Sequence, residues 1–340
     1  MNPTRPSILL LLAATLAGCA AEPRPEAAAP SVEPAPPPPA LRPLVGEYAA
    51  GDTLSVLESD GALRLLRWHA DPVDLTARDD SAFALDGSDE TATFHRTADG
   101  GVAALTLEGR TWTRLSLGTE DGSQFKITPL RPPDELRAEA LAATPPEEEG
   151  EFLPSDLVEL VALDSTIHLD IRYATTNNFM GEVFYTEPRA FLQRPAAEAL
   201  VRAHRWLRAR GYGLLVHDGY RPWYVTKMFW DATPEPLRVF VADPATGSRH
   251  NRGCAVDLTL YRLDNGEPVV MTGGYDEMSP RSFADYPGGT TRQRWLRALL
   301  RQAMEAQGFA VYQAEWWHFD YEDWRRYRVG NQRFEELGDG

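Results

Sequence analysis

The sequence predicts an α+β fold, a mostly antiparallel sheet with flanking helices, preceded by a small all-β domain. Three observations carry this. Residues 44–117 run as short alternating segments broken by Asp-Gly turns, the texture of antiparallel hairpins. Pro195–Arg210 and Arg292–Gln307 repeat apolar residues at helical spacing. Around these helices lie apolar, β-branched and aromatic runs of strand length.

At 340 residues the chain has room for two ordinary domains. Its formal net charge of -16, without a basic stripe, argues against a nucleic-acid partner. Oligomeric state is not legible. Arg5 precedes an apolar run, Ile8–Leu16, that is too short to span a bilayer and suits a secretion signal. Leu16-Ala17-Gly18-Cys19 follows and resembles the bacterial lipobox. The resemblance implies a lipoprotein signal over 1–18, lipidation of Cys19, and a membrane partner through that anchor. Ala20 in place of Asp favours, by analogy, the outer membrane of the cell envelope, facing the periplasm. An ordinary cleaved signal with an incidental cysteine is the alternative. Cys254 is the only other cysteine, so the mature chain has no disulfide pair, and without a C-x2-C element a structural zinc ribbon is excluded.

Residues 19–43 are rich in Ala, Pro and Glu, with a tetraproline at Pro36–Pro39. Such a segment buries no core and is expected as an extended tether. Residues 44–117 are expected as a small β sheet or barrel. Its G-E-Y opening and its Phe94-His95-Arg96 near an Asp-Gly turn resemble the small β domain appended to some serine β-lactamase-like and other exported hydrolases. That resemblance assigns no chemistry, and His69 and His95 read as surface or strand histidines. Residues 118–150 carry five prolines and the acid run Glu147–Glu149, and read as a solvated linker with a short helix at Leu136–Ala143.

From Glu151 the pattern is mixed. Thr166–Tyr173 reads as a strand with Ile167, Leu169 and Ile171 on one face. Pro195 suits a helix first turn and Gly211 a stop. Gly213–Asp218 reads as a strand, Trp223–Trp230 as a helix start, and Cys254–Tyr261 as a strand after the Asn251-Arg252-Gly253 turn. In the second long helix Trp295, Leu299, Leu300 and Met304 are expected inward, with Gly308 as the stop, and Phe309–Tyr321 reads as strand.

The chemistry gathers at Ser248–Asp257, S-R-H-N-R-G-C-A-V-D, and Glu315–His318, E-W-W-H. Two imidazoles, a carboxylate at H-x6-D spacing and a spare glutamate make the ligand set of a catalytic zinc site: His250, Asp257 and His318 as ligands, Glu315 as general base. In a regular strand Ala255, Asp257 and Thr259 face one way and Val256, Leu258 and Leu260 face the core. Asp257 then needs a partner, which a metal, backbone amides or an arginine would each supply. Glu315 and His318, three apart, point oppositely in a regular strand, so a bulge or bend near Trp316 and Trp317 is expected; an aromatic strand with edge polar groups is the alternative.

S-x-H-x-x-G-x-A-x-D followed by E-x-W-H resembles the VanX-type D-alanyl-D-alanine dipeptidases, zinc peptidases related to D-Ala-D-Ala carboxypeptidases and the hedgehog signalling domain. Asp170–Gly181, Val216–Pro222 (V-H-D-G-Y-R-P) and Met271–Asp276 (M-T-G-G-Y-D) agree with that family, so the resemblance covers about residues 155–325. It implies zinc on His250, Asp257 and His318, one ion per chain, with Glu315 as base. It implies that Arg221 stabilises the oxyanion, against the alternative of a structural ion pair with Asp218. It implies Asp276 on the free ammonium of a D-amino dipeptide, against a turn-capping role, with Ser248 bonding substrate or ligand shell and Tyr173 lining the pocket. Cys254 stands where small residues such as Ser are usual and, facing away from Asp257 in a strand, reads as a packed small residue against the alternative of a soft metal ligand. The drug-resistance members act in the cytoplasm, whereas this chain reads as exported and carries an extra β domain. The expected function is zinc-dependent hydrolysis of D-Ala-D-Ala or related D-amino dipeptides from wall turnover, by a domain spanning 151–340. A murein D,D-carboxypeptidase or endopeptidase, or a non-catalytic wall-binding lipoprotein, is the alternative.

Overall fold

A computed structural model describes residues 32–67, 70–116 and 123–338. Residues 1–31, with Cys19 and the apolar run, lie outside the described residues, as does His69. No helix among the described residues is long and apolar enough to cross a membrane.

Eight antiparallel strands close into a barrel: Gly46–Ala49 (β1), Thr53–Ser59 (β2), Ala62–Arg67 (β3), Val73–Ala77 (β4), Ala82–Leu85 (β5), Thr91–Arg96 (β6), Val102–Leu107 (β7) and Arg110–Arg114 (β8). Two of its hairpins are two-residue turns with both central residues at positive φ, Asp60-Gly61 and Glu108-Gly109. That geometry matches the twist of the flanking strands and selects Gly at the second place. Closure comes from β8 pairing with β1, Tyr48 opposite Arg114. Alternate residues such as Leu54, Leu63, Phe94, Leu105 and Trp112 fill the interior. His95 is exposed and shares a hydrogen bond with Thr106 Oγ1 at 2.7 Å, a strand histidine.

The second body is a five-stranded sheet with helices packed against it. Its elements are a helix at Pro133–Ala142 (α1), Leu157–Glu159 (β9), Leu160–Leu163 (α2), His168–Leu169 (β10), Phe191–Gln193 (β11), Arg194–Arg208 (α3), Tyr212–Asp218 (β12), Trp223–Ala232 (α4), Ala255–Arg262 (β13), Thr291–Glu305 (α5), Phe309–Tyr312 (β14) and Glu315–Tyr321 (β15). The sheet order is β10-β12-β13-β15-β14, antiparallel except for β10 with β12. The fold is α+β, as the sequence predicts.

Several local expectations change. The segment 118–150 is not a free linker: α1 packs on α4 and buries Leu136 and Ala140 in the main core. Nor is its acid run simply solvated, because Glu148 pairs with Arg252 at 2.6 Å and accepts from the Val329 amide at 2.7 Å. The described end of the tether does not stand free either. Glu33 sits between the guanidinium groups of Arg262 and Arg292, which draw its carboxylate onto the domain surface. The strand expected over Thr166–Tyr173 shrinks to His168–Leu169, because the chain turns into a 3-10 helix at Arg172–Ala174. Ile167 and Ile171 are buried, Leu169 only half so. In α5 Leu296 takes the buried place expected of Trp295, which is half-buried. Finally β13 has no open face: from Ala255 to Tyr261 every residue is buried, since β13 is the central strand.

Gly253 ends the turn before β13 with φ +66°, and a Cβ there would meet Leu157 Cδ2 at 2.4 Å. Gly253→Ala therefore adds left-handed strain to a steric overlap, and should cost roughly 2–4 kcal/mol of stability. A melting temperature equal to that of the parent chain would refute this.

Candidate active site

The site forms at one end of the three central strands. β12 delivers Asp218 through a register slip between Val216 and Asp218, after which the chain turns through Gly219 to Arg221 and enters α4. The 3-10 turn His250–Arg252 places His250 just before β13. Asp257 on β13 pairs in register with His318 on β15, and Asp218 pairs with Asp257 from the other side. Side chains directly across neighbouring strands share a face and lie close, so the sheet itself brings Asp257 and His318 together.

Glu315 joins them through the expected irregularity. The β14–β15 pairing jumps from Val311–Phe319 to Tyr312–Glu315. Trp316, Trp317 and His318 thus bulge on that side, and Glu315 Oε2 comes within 3.7 Å of His318 Nδ1 despite the odd spacing.

His250 Nε2, His318 Nδ1 and an Asp257 oxygen lie within 4.8 Å of one another. His250 Nε2 is 3.1 Å from His318 Nδ1 and 3.3 Å from Asp257 Oδ1, which is 3.0 Å from His318 Nδ1. The outer ring nitrogens have acceptors of their own. His250 Nδ1 lies 2.7 Å from the Gly219 carbonyl and His318 Nε2 2.9 Å from Asp320 Oδ1. A proton on each outer nitrogen leaves two lone pairs and a carboxylate oxygen converging on one point, an arrangement that a cation satisfies and that is repulsive without one. Without a cation a proton would take its place: burial opposes charge on His318, yet Asp320 and Asp257 outweigh it and hold its imidazole well above the ordinary histidine range. Burial likewise opposes ionisation of Asp257, but His250 and His318 hold its carboxyl well below the usual value.

An open cavity lies over these groups. Glu315 and Asp276 face it, and burial pushes each carboxyl up to about 8, with the charge of Asp257 acting in the same direction. Tyr173 is buried and its hydroxyl donates to Asp276 Oδ2 at 2.8 Å. Asp276 itself has φ +55°, unusual for a residue with a side chain. Ser248 lines the cavity and its Oγ accepts from the His250 amide at 3.2 Å.

Arg221 is buried. It donates from Nε and Nη2 to Asp218 Oδ2 at 2.9 and 2.8 Å, and Nη2 lies 3.6 Å from Asp257 Oδ2. The ion pair with Asp218 is therefore present, and it aims the guanidinium at the cavity. Cys254 is buried and outside the ligand cluster, its Sγ 3.6 Å from the Arg252 carbonyl.

Two neighbours escaped the sequence reading. Asp320, which holds the outer nitrogen of His318, lies two residues along the same strand, so period-two alternation could have revealed it. The Tyr275 hydroxyl donates to Asp257 Oδ2 at 3.1 Å, and nothing local in the sequence signals that contact.

The sequence profile of the D-Ala-D-Ala dipeptidases, peptidase family M15, matches residues 154–337. The chain belongs to this family. It is 35% identical over 166 residues to the D-alanyl-D-alanine dipeptidase of Escherichia coli K12, a match spanning 49% of this chain and 84% of that one. It is 37% identical over 182 residues to the Enterococcus faecium dipeptidase (47% and 90%) and 36% over 185 residues to that of Streptomyces coelicolor (49% and 92%). As a member of the M15 family the chain is a metallopeptidase. Every cavity residue discussed above, from Tyr173 to His318, lies inside the matched region; the barrel lies outside it.

Proposed function

We propose that this chain is a zinc-dependent D-alanyl-D-alanine dipeptidase of the cell envelope. The observation that carries the chemistry is the convergence of His250, Asp257 and His318 on one point, with Glu315 beside them and Asp276 across the same cavity. Two imidazoles and one carboxylate suit zinc, which accepts mixed nitrogen and oxygen donors in a site left open on one side. Bound there, zinc would supply Lewis-acid polarisation and acidify water.

The chain's own residues do the rest. Glu315 takes a proton from the attacking water and hands it to the leaving amine as the C–N bond breaks. Arg221, held by Asp218, faces the oxyanion that develops on the carbonyl oxygen. Asp276, oriented by Tyr173, pairs with the free ammonium of the substrate and sets its register, while Ser248 holds the backbone of His250. Asp320 keeps the outer proton on His318. Family membership supports D-Ala-D-Ala as the substrate, with related D-amino dipeptides as the neighbouring class.

The reading is tested by comparing D-Ala-D-Ala with its N-acetylated form. The free dipeptide should be cut at least 100-fold more efficiently, on the order of a buried charge pair lost, and Asp276→Asn should erase most of that preference. Equal or faster cleavage of the blocked substrate would instead favour a murein carboxypeptidase or endopeptidase.

The envelope assignment rests on Leu16-Ala17-Gly18-Cys19. Full-length protein expressed with labelled palmitate should carry label that Cys19→Ser removes; an unlabelled parent chain would refute lipidation.

A further inference from the structure

We infer that the barrel and the segment after it brace the Met271–Asp276 loop, and that Gln124 and Glu47 are positioning residues for Asp276 and Tyr275. The inference rests on the ammonium-binding reading of Asp276. The loop carries two groups of the site: the Asp276 carboxylate, and the Tyr275 hydroxyl that touches Asp257. It also carries strain, since Asp276 sits in the left-handed region at φ +55°. Outside a hairpin turn that conformation costs a residue with a side chain on the order of 1–2 kcal/mol, which contacts around the loop must offset.

Those surroundings come from outside the sheet. Gln124, on the segment joining barrel to peptidase, donates from Nε2 to the Tyr275 carbonyl at 2.6 Å. Its Oε1 accepts from Arg172 at 2.8 Å, which fixes the amide's orientation. On the far side of Asp276, the fully buried Glu277 accepts from the Gly274 amide at 2.9 Å and closes the loop on itself. Arg281 grips both Glu277 oxygens at 2.7 Å. Beneath Arg281 lies Glu47 of β1, buried, bonded to the Tyr286 hydroxyl and 4.0 Å from the guanidinium. The start of the loop is tied as well. Gln293 donates to the Met271 carbonyl at 2.9 Å, from the first turn of α5, where barrel residue Glu58 accepts from the Thr291 amide at 3.0 Å. Three attachments of one strained loop thus lead to residues outside the family-matched region.

Gln124→Ala removes the most direct attachment without touching the cavity. With zinc loaded, it should raise KM for D-Ala-D-Ala about fivefold to tenfold, the worth of one hydrogen bond, and leave kcat within about twofold. The preference for free over N-acetylated dipeptide should fall by the same factor as KM rises. Gln124→Glu keeps the acceptor for Arg172 and lacks the donor, so it should match Gln124→Ala; a defect in Ala alone would place the effect on Arg172 and overturn the role of Tyr275. Glu47→Gln should shift KM in the same direction, and a wild-type KM would remove the barrel from the brace. Hydrogen exchange at the Gly274 and Glu277 amides reads the brace without catalysis and should quicken about tenfold in Gln124→Ala. Unchanged exchange and KM in folded protein, or a fall in kcat alone, overturns the inference. A parent enzyme with no preference for the free dipeptide instead defeats the ammonium reading, and exchange then decides the brace by itself.

Discussion

Glu315→Gln should lower kcat for D-Ala-D-Ala by about 10³-fold, within the range that a positioned general base contributes. The substitution keeps size and shape but leaves an amide oxygen with almost no affinity for a proton. Glu315 Oε2 lies 3.7 Å from His318 Nδ1, the atom aimed at the converging point, so a water held between them is within its reach. Glu315 is not among the three converging residues, so zinc content should stay at one equivalent per chain. The measurement is single-turnover hydrolysis beside metal analysis of the same sample. Undiminished hydrolysis in zinc-loaded Glu315→Gln would end the proposed mechanism and return attention to a binding-only lipoprotein.

Arg221→Ala should have two separable effects. Loss of a charge aimed at the oxyanion costs about 10²–10³-fold in kcat. Loss of the partner of Asp218 costs stability, roughly 3–5 kcal/mol, because a buried carboxylate is left without its counter-charge. Asp218 is almost fully buried and also accepts from the Tyr185 hydroxyl at 2.8 Å and the Gly219 amide at 2.9 Å, so it cannot turn toward solvent. Adding Asp218→Asn to Arg221→Ala removes the orphaned charge. The melting temperature should then recover in large part while kcat stays low. Should kcat recover together with stability, Arg221 would be only the structural ion pair that the sequence also allowed. Arg221→Lys should not rescue, since both Nε and Nη2 engage one carboxylate oxygen and an ammonium cannot copy that fork.

These variants probe residues that were legible for different reasons. His250 and Asp257 could be read together because the Asn251-Arg252-Gly253 turn and the strand after it are local features, governed by a positive-φ glycine and a period of two. Glu315 and His318 looked incompatible within a regular strand. Their pairing needed a bulge, foreshadowed by the polar spacing and realised by the slip against β14. Asp218 was visible as a neighbour of Arg221 but not as a buried hub that also binds the Tyr185 hydroxyl and the Gly219 amide. Tyr275 stayed invisible because its hydroxyl reaches Asp257 across 18 residues of chain.

The acidic segment and the described end of the proline-rich tether depart from what their composition suggests for one reason. Composition reports whether a segment can form its own core, not whether another surface will receive it. Glu148 and Glu33 are solvated by any local criterion, yet arginines from distant parts of the chain claim both.

By itself the sequence determined the local period of each major element, the turn glycines, the barrel's hairpins and the residue types able to hold a metal. Those depend on backbone sterics and on side-chain alternation over a few positions. Only the tertiary structure decided that β13 is buried on both faces, that Asp320 and Tyr275 support the ligand residues, and that Glu47 and Gln124 reach the loop of Asp276. Such contacts join segments tens to hundreds of residues apart, and they exist only once burial of the two cores has brought those segments together.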